Sequence, residues 1–497
     1  MGQGQIRKGF FFYFGLFVLL LVAIFCICLV IMMFNPGKTV LWMQYFTAND
    51  QFVVSETTDE SKTEINMNFI QNNIDTIKIN CNSYAEVIVQ RNHEDAYSKE
   101  GIYIINKAKG LQGANGAVHF DYSVTVTGKE MQITITEPNG FLYFSKEIKV
   151  VLTSYTEWEN NFGHINLIVN TVDGDVSVGN TGLLPEDVEL AGLTATTQKG
   201  DIILGDSFAV EKLNKLSLTT GSGRIISHNI STHSGKEYTG INVGCAASLA
   251  TTNGRIDLGL VNVGANDLKV TCETGSVDVE FIKAANTNIA CERGTFTFGT
   301  IDGNVSYAAG EDTMITPYVK ADYITGNFLL QGYDKAEPEI YINRIDGMLQ
   351  IYADKGKIDV NQAYGAVEIK SDDNLTADVI VAENNVSRID IQTDSGEINV
   401  GFLGQFKNAN LRNDEGKTIV KVVSGTKFKA VSYKNASGVQ DSAQELLSVD
   451  KISVSIELLD DGYERNSFVV DGTDGTLIVY TNNNIEYKLV AKTDLVA

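Results

Sequence analysis

Hydrophobic and polar residues alternate through the middle of the chain, on both sides of a recurring polar turn. After Gly254, for example, Ile256 and Leu258 are apolar and Asp257 between them is polar. Period-two alternation of this kind predicts β-strands with one buried face and one exposed face. Each repeat is therefore predicted to form a strand, a turn and a second strand.

A glycine marks the turn in every repeat. The repeats align on these glycines: Gly200, Gly223, Gly254, Gly275, Gly294, Gly356, Gly396 and Gly416. A repeat length of roughly 20 residues falls in the range of solenoid coils. Because the chain must change direction within a few residues, we expect a positive φ at these positions, which glycine adopts at the lowest cost.

Two arrangements accommodate such units, an antiparallel meander of hairpins and a parallel β-solenoid. Similarity at a fixed register favours the solenoid, because equivalent residues then stack about 4.8 Å apart. One column of the predicted stack faces inward and contains Thr197, Thr220, Thr251, Cys272, Cys291 and Thr393. We therefore predict an all-β fold with a parallel, β-helix-like solenoid over residues 156–430 and strand-rich caps.

The flanking segments lack the repeated phrase. Residues 70–155 are predicted to form a strand-rich N-terminal cap region, and residues 431–497 a C-terminal cap. Within the C-terminal cap, the stretch after Gly438 is predicted to form one short helix. Residues 35–69 are polar and charged, which is typical of a juxtamembrane spacer.

Residues 9–34 contain no charged side chain. As a helix they would extend about 39 Å, enough to cross a hydrocarbon core of about 30 Å, so we predict a single transmembrane helix. Arg7 and Lys8 precede the segment and Lys38 follows it. This bias predicts a cell-membrane protein with a cytoplasmic tail at residues 1–8 and an extracellular large domain.

The chain is strongly acidic, with 62 acidic and 39 basic residues and a net charge of −23. Such a surface repels phosphate backbones, so we exclude nucleic acid as a partner. The expected partners are the membrane, through residues 9–34, and a cell-wall or surface glycan or another envelope protein.

The arrangement resembles the bacterial putative adhesin family. The resemblance lies in the segments IKINCNSYAEVIV and KEMQITI and in the repeated T-x-x-G-x-I-x-V/L phrases, and covers roughly residues 70–430. It implies a β-solenoid in the cell envelope behind a single anchor. No catalytic or binding residue is carried over from the family.

Cys272 and Cys291 occupy equivalent positions in successive repeats. Stacking brings their Cα atoms to about 5 Å, which is within disulfide range. The alternative is a reduced pair of small inward side chains, as buried cysteines often are. Both alternatives remain open at the level of sequence.

Asp257 and Asp278 are expected to stack outward on neighbouring coils, with Arg255 nearby. Paired carboxylates serve glycan hydrolysis when burial raises the pKa of one of them; otherwise they belong to a solvated face. The acidic stretches 173–175, 460–462 and 471–475 suit either calcium ligation or tight turns. The histidine pair His228 and His233 lies in a polar loop. We assign no catalytic, cofactor-binding or metal-ligating residue from these patterns, and calcium is the one cofactor considered.

These features predict a membrane-anchored β-solenoid of the cell envelope with a structural, adhesive or wall-polymer-binding role and no catalysis. Two alternatives follow from the same features. One is an extracellular glycan-active enzyme on a β-helix scaffold, and the other is a cytoplasmic, membrane-bound polymerising scaffold.

Overall fold

The computed structural model describes most of the repeat region and parts of both ends. The main described ranges are 74–82, 86–91, 101–112, 121–136, 142–154, 163–179, 188–206, 208–233, 235–308, 316–333, 337–382, 388–403, 408–413 and 415–423. Shorter described stretches are 13, 17–24, 26–27, 53–55 and 61–65 before them, and 430–432, 442–444, 452–455, 466–472, 475–481, 485–490 and 495 after them.

Strands dominate the described chain. The first group comprises Val53–Ser55 (β1), Ser61–Ile65 (β2), Thr76–Cys81 (β3), Glu86–Arg91 (β4), Gly101–Gln112 (β5), Asp121–Thr127 (β6), Glu130–Thr136 (β7) and Leu142–Ser154 (β8). The next strands are Asn166–Thr171 (β9), Val176–Val178 (β10), Gly192–Thr197 (β11), Ile202–Leu204 (β12), Lys215–Thr220 (β13), Arg224–Ser227 (β14), Ile230–His233 (β15), Lys236–Asn242 (β16), Ala247–Thr251 (β17), Arg255–Asn262 (β18), Asp267–Cys272 (β19) and Ser276–Cys291 (β20).

The second half of the chain continues in the same way. Its strands are Thr295–Ala308 (β21), Tyr318–Ile324 (β22), Phe328–Tyr333 (β23), Glu339–Ile345 (β24), Leu349–Ala353 (β25), Gly356–Ala363 (β26), Val367–Lys370 (β27), Leu375–Val381 (β28), Ile389–Thr393 (β29), Glu397–Phe402 (β30), Asn408–Asn413 (β31) and Lys417–Val423 (β32). The last are Ala430–Ser432 (β33), Ser442–Gln444 (β34), Ile452–Ser455 (β35), Asn466–Gly472 (β36), Gly475–Thr481 (β37) and Ile485–Val490 (β38). A short 3-10 helix, Val210–Lys212, lies between β12 and β13.

The strands stack in parallel, and the predicted β-solenoid is confirmed. Most strands pair with the strands one coil before and one coil after them, as β11 does with β9 and β13. The second strand of each coil lies on another face of the solenoid. There β12, for example, pairs with β10 and β14 from the neighbouring coils. We call the stack of β9, β11, β13, β17 and their successors the first face, and that of β10, β12, β14, β18 and their successors the second face. One antiparallel hairpin, β15 with β16, is inserted in this stack, and the remaining pairings along both faces are parallel rather than those of a meander.

The inward side chains form one continuous apolar core along the coils. Alternate positions of each strand are buried, as in the pattern eBiBiB of β13. Large side chains such as Phe296, Phe298 and Phe328 are at most 1% exposed. The period-two pattern therefore has the physical cause expected from the sequence, since apolar positions point inward and polar positions outward.

Antiparallel strands adjoin the parallel stack at both ends. At the N-terminal end, β6 pairs antiparallel with β7, and β5 pairs antiparallel with β8. At the C-terminal end, β36 pairs antiparallel with β37, and β35 with β36. Strands β1 and β2, within the segment predicted as a spacer, both pair with β5. These pairings occupy backbone groups that an open solenoid end would offer to another chain.

The predicted transmembrane helix over residues 9–34 is not supported by the described residues. Residues 17–24 are helical with exposed side chains, and much of the remaining segment lies outside the described residues. Within the part of the chain that the structure describes, no helix combines the length and apolar character that crossing a membrane requires.

The short helix predicted after Gly438 is wrong at its described residues. Ser442–Gln444 forms β34, which pairs antiparallel with β33. Pairing between strands thus prevails over the helix propensity of this stretch, as tertiary context often does.

Candidate functional site

The eight repeat glycines lie at the turns, but their conformation differs from the expectation. Of these glycines, Gly356 alone has a positive φ, of 138°. Glycine is required elsewhere because successive turns touch: a Cβ on Gly254 would lie 2.0 Å from the carbonyl oxygen of Gly223. A Cβ on Gly223 would likewise lie 1.9 Å from the carbonyl oxygen of Gly200. The predicted reason, left-handed backbone, is therefore wrong for the other seven. Close approach of backbone replaces it at six of them, and at Gly294 the nearest atoms are the sulfurs of Cys291 and Cys272.

The inward column predicted from the repeats is buried as expected. Thr197, Thr220, Thr251 and Thr393 are at most 2% exposed. Their hydroxyl groups bond the turn, as Thr220 Oγ1 does by accepting the backbone N–H of Gly223 at 2.9 Å. The T-x-x-G phrase is thus a structural unit of the coil.

Cys272 and Cys291 pair in register on adjacent strands, and both are free thiols. Cys272 is fully buried and Cys291 is 7% exposed. The hydrogen bond between the two thiols, together with burial, raises the pKa of Cys272. The same hydrogen bond lowers the pKa of Cys291. Cys291 Sγ also accepts the backbone N–H of Gly294, so the cysteine takes the position of the threonine in the turn.

Asp257 and Asp278 lie side by side on the second face, in register and pointing outward. Arg255 Nη2 lies 3.0 Å from Asp257 Oδ2 and 3.3 Å from Asp278 Oδ2. Both carboxylates are about half exposed, at 49% and 52%. Shared pairing with one arginine and this exposure are typical of a solvated charged face.

The acidic stretches considered for calcium divide between turn contacts and undescribed residues. Asp175 Oδ1 accepts the backbone N–H of Asp201 at 2.7 Å, and Asp173 lies 3.8 Å from Lys199 Nζ. Residues 460–462 lie outside the described residues. Among the residues that are described, no group of three or more His, Cys, Asp or Glu side chains is arranged to hold a metal ion.

A cavity of about 310 Å³ opens on the outer surface of the second face, across β22, β24 and β26. We call it the groove. Ala321 and Ile342, which belong to the buried core, also contribute to its lining, and the remaining lining is polar or aromatic. These lining residues are Tyr318, Lys320, Asp322, Tyr341, Asn343, Asp359 and Asn361. Its volume is at the lower end of the range of about 300–1,000 Å³ for ligand sites.

Strand register arranges the lining into two rows. Lys320, Tyr341 and Asp359 pair in register on β22, β24 and β26, and form the first row. Asp322, Asn343 and Asn361 lie two residues further along the same strands and form the second row. Ladder pairing skips the second row, and the strands bend there. The rows are therefore separated by about 7 Å along the strand, and successive side chains within a row by about 4.8 Å.

Two tyrosines stand at one side of the groove. The ring centroids of Tyr318 and Tyr341 are 5.5 Å apart, with an interplanar angle of 40°. Lys357 Nζ lies 5.2 Å from the centroid of Tyr341, which is within the range of a cation–π contact. These contacts on both sides hold the Tyr341 ring in place.

The charged groups of the groove are not used in the fold. Among the described residues, Lys320, Asp322 and Asp359 have no hydrogen-bond or ion-pair partner. Some outward carboxylates elsewhere on the solenoid do have such partners, as Asp201 has in Arg224 at 2.6 Å. Unpaired groups of both signs around a cavity are available to bind a ligand.

Asp378 continues the first row beyond the groove, in register with Asp359. Burial raises the pKa of Asp378, and the nearby charge of Asp359 raises it further, while the charge of Lys421 opposes the shift. Asp378 Oδ2 accepts a hydrogen bond from Asn399 Nδ2 at 2.9 Å. Asp359 and Asp378 thus form a pair of neighbouring carboxylates on the second face, beside the groove, and burial raises the pKa of Asp378.

Sequence reasoning selected Asp257 and Asp278 and missed the groove. The outward residues of β22, β24 and β26 are visible as alternating polar positions, but only the strand register of the structure places Lys320, Tyr341 and Asp359 in one column. Glycine-based alignment did not assign a register to β22 or β24, which have no T-x-x-G phrase before them. The sequence alone therefore does not show which outward residues of these coils share a column.

Neither a protein-family model nor a curated protein matches the sequence. One solved structure, described as a putative cell adhesion protein from Clostridium sporogenes, is similar at 11% identity with a TM-score of 0.18, and the match covers 63% of this chain and 99% of that chain. With so low a TM-score, the functional account rests on the geometry of the groove.

Proposed function

We propose that this protein is a membrane-anchored structural or adhesive rod of the cell envelope, which binds an extended glycan on its second face. The groove at Tyr318, Tyr341 and Asp359 is the observation that carries the proposal. Its two rows of hydrogen-bonding side chains run along the solenoid axis, so a polymer lying along that axis would meet polar side chains on three successive coils. Contacts repeated along one chain add through effective concentration, even when each contact is weak.

Peptide and nucleic acid fit the groove less well than glycan. Extended peptides bind by adding a strand to a free sheet edge, whereas β22, β24 and β26 are paired on both sides. Nucleic acid is disfavoured by the net charge of −23. Glycans offer many hydroxyl groups to carboxylate and amide side chains, and their C–H faces stack on aromatic rings.

The membrane anchor in this proposal rests on the sequence. The uncharged run over residues 9–34 is longer than the roughly 20 residues needed for a spanning helix. Arg7 and Lys8 before it favour an extracellular solenoid. Antiparallel strands at the ends of the stack support a rod of defined length, and count against the alternative of a scaffold that polymerises end to end.

A sedimentation assay with purified, insoluble cell-wall glycan tests the binding function. Full-length protein in detergent should sediment with the glycan, and Tyr341→Ala should reduce the bound fraction at least fivefold. Tyr352→Ala is the matched control, because Tyr352 is an outward tyrosine on β25 of the first face. Equal retention of both variants with wild type, or no sedimentation of wild type with any wall glycan, would contradict the proposal.

A second candidate function is glycan hydrolysis by Asp359 and Asp378. The favouring observation is that burial raises the pKa of one member of this stacked pair, which is the condition for a general acid beside an ionised carboxylate. In such a reaction Asp359 would attack the anomeric carbon while Asp378 protonates the leaving oxygen. Water would then hydrolyse the glycosyl ester and return a proton to Asp378. Release of new reducing ends by wild type, abolished in Asp378→Asn and retained in Asp257→Asn, is the expected result. Absence of any release from glycan that the protein binds would eliminate this candidate.

A further inference from the structure

The unpaired carboxylates of the groove indicate which glycans it accepts. Asp359 lies at one end of the first row and Asp322 at the opposite end of the second row. From the strand spacing, their backbones are roughly 12 Å apart across the groove. One cation therefore cannot reach both carboxylates, and the described protein provides neither with a partner.

The end of the groove at Asp359 is the more negative one. Asp378 follows Asp359 on the next coil in register, so two carboxylates lie side by side at this end. Burial raises the pKa of Asp378, the charge of Lys421 opposes the shift, and the charge of Asp359 adds to it. The nearest lysine on the adjoining column, Lys357, lies over the ring of Tyr341 instead. A cation placed beside Asp359 would compensate both carboxylates.

We propose that the groove binds a glycan bearing free amino groups, with one ammonium group paired to Asp359 and the sugar face against Tyr341. The proposal rests on the glycan-binding function above and adds the chemical class of the ligand. Polyanionic wall polymers are disfavoured because the groove has two carboxylates against Lys320 and the chain as a whole carries −23. Neutral glycans would bind through the tyrosine and the amides but would leave Asp359 unpaired.

Asn343 and Asn361 complete the recognition. Asn361 Nδ2 lies 3.4 Å from Asn343 Oδ1. The remaining donors and acceptors of these two amides are available to the hydroxyl groups of a sugar. An ammonium group at Asp359 would face Asn361, two residues along the same strand. The first row would then bind the ammonium group of a sugar residue, and the second row would bind the hydroxyl groups of the same residue.

The test compares three soluble oligosaccharides of equal length by calorimetric titration into the full-length protein in detergent. They are the hexamer of β-1,4-linked glucosamine, its fully N-acetylated form and cellohexaose. We expect the glucosamine hexamer to bind at least tenfold more tightly than cellohexaose. Asp359→Asn should weaken the glucosamine hexamer at least tenfold and cellohexaose by a much smaller factor, so that the preference between the two is lost.

Two control variants separate specific pairing from general attraction to an acidic protein. Asp257→Asn removes an outward carboxylate in the same column, distant from the groove, and should leave all three affinities unchanged. Asp322→Asn should weaken the glucosamine hexamer by a smaller factor than Asp359→Asn. An equal loss in Asp257→Asn and Asp359→Asn would overturn the proposed site.

The titrations distinguish an error in the proposed ligand class from an error in the proposed glycan-binding function. Equal or tighter binding of cellohexaose or of the N-acetylated hexamer would overturn the amino-glycan proposal and leave glycan binding intact. Absence of binding to all three oligosaccharides and to insoluble wall glycan would overturn both.

Discussion

Thr220 Oγ1 accepts the backbone N–H of Gly223 at 2.9 Å, and the same hydroxyl donates to the carbonyl oxygen of Gly200 at 2.9 Å in the coil before. One buried hydroxyl thus closes its own turn and ties it to the preceding turn. Thr197 repeats the arrangement with Gly200 and Gly174. The threonine and glycine of the T-x-x-G phrase therefore form a single structural device.

Thr220→Val should lower the free energy of unfolding by about 1–3 kcal/mol, because a buried N–H and a buried carbonyl lose their partner. Urea denaturation followed by circular dichroism measures the change. Thr219→Val is the control, since Thr219 faces outward on the same strand. Equal stability of the two variants would show that the hydroxyl contributes nothing to the turn.

Gly254→Ala should destabilise the solenoid by about 3 kcal/mol or more, at the upper end of overpacking costs. Its new Cβ would lie 2.0 Å from a backbone oxygen that the neighbouring coil holds in place. Gly244→Ala is matched to it, because a Cβ there meets only an ordinary contact at 3.7 Å. Similar melting temperatures for the two variants would contradict the stacking account of the repeat glycine.

Asp390 should contribute to stability at neutral pH and lose that contribution in acid. Burial opposes ionisation, but hydrogen bonds from Gln392 and Arg388 outweigh it and lower the pKa of Asp390. A carboxyl with a lowered folded pKa stabilises the protein above its unfolded pKa of about 3.9, and this stability is lost as pH falls through the folded value. Asp390→Asn should therefore reduce stability at pH 7 and flatten the acid limb of a pH titration of the melting temperature. An unchanged acid limb would contradict this assignment.

Asp378 should show the opposite dependence. Because its folded pKa is raised, its contribution is fully present below the unfolded pKa and is lost as pH rises through the folded value. Asp378→Asn should therefore be more stable than wild type at pH 7 and equal to it near pH 3. Asp257→Asn, at an exposed carboxylate paired with arginine, should show no such gain. A gain that persists unchanged at low pH would show that packing, and not charge, is responsible.

Cys291 should react with iodoacetamide faster than Cys245 in the native protein. Both are nearly equally buried, at 7% and 8% exposed. The hydrogen bond from Cys272 lowers the pKa of Cys291, whereas burial raises the pKa of Cys245. Since the thiolate is the reactive form, peptide mapping after partial alkylation should show Cys291 modified first. Equal rates would mean that exposure alone controls these thiols.

The fold was largely predictable because the repeat encodes it locally. Alternation around Gly254 predicted the strands, and the shared column of Thr220 and Cys272 predicted parallel stacking, which strand pairing confirms. The conformation of the glycines was not predictable, because close approach of turns depends on the stacking distance. A glycine chosen for positive φ and one chosen for contact look the same in a sequence.

The groove was beyond the sequence for a different reason. Its two rows unite residues from three coils, and the register of β22 against β24 and β26 fixes which ones face each other. Where the strands bend at Asp322 and Asn343, alternation slips by one residue. A strict alternation of inward and outward residues does not hold across that bend, so it assigns the residues beyond the bend to the wrong side of the strand.

A crystal structure of the protein grown with the glucosamine hexamer would show where the sugar binds. We expect sugar density between the row of Lys320, Tyr341 and Asp359 and the row formed by Asp322, Asn343 and Asn361, with an amino group within hydrogen-bond distance of Asp359. An empty groove in crystals that hold the oligosaccharide elsewhere on the solenoid would contradict this expectation.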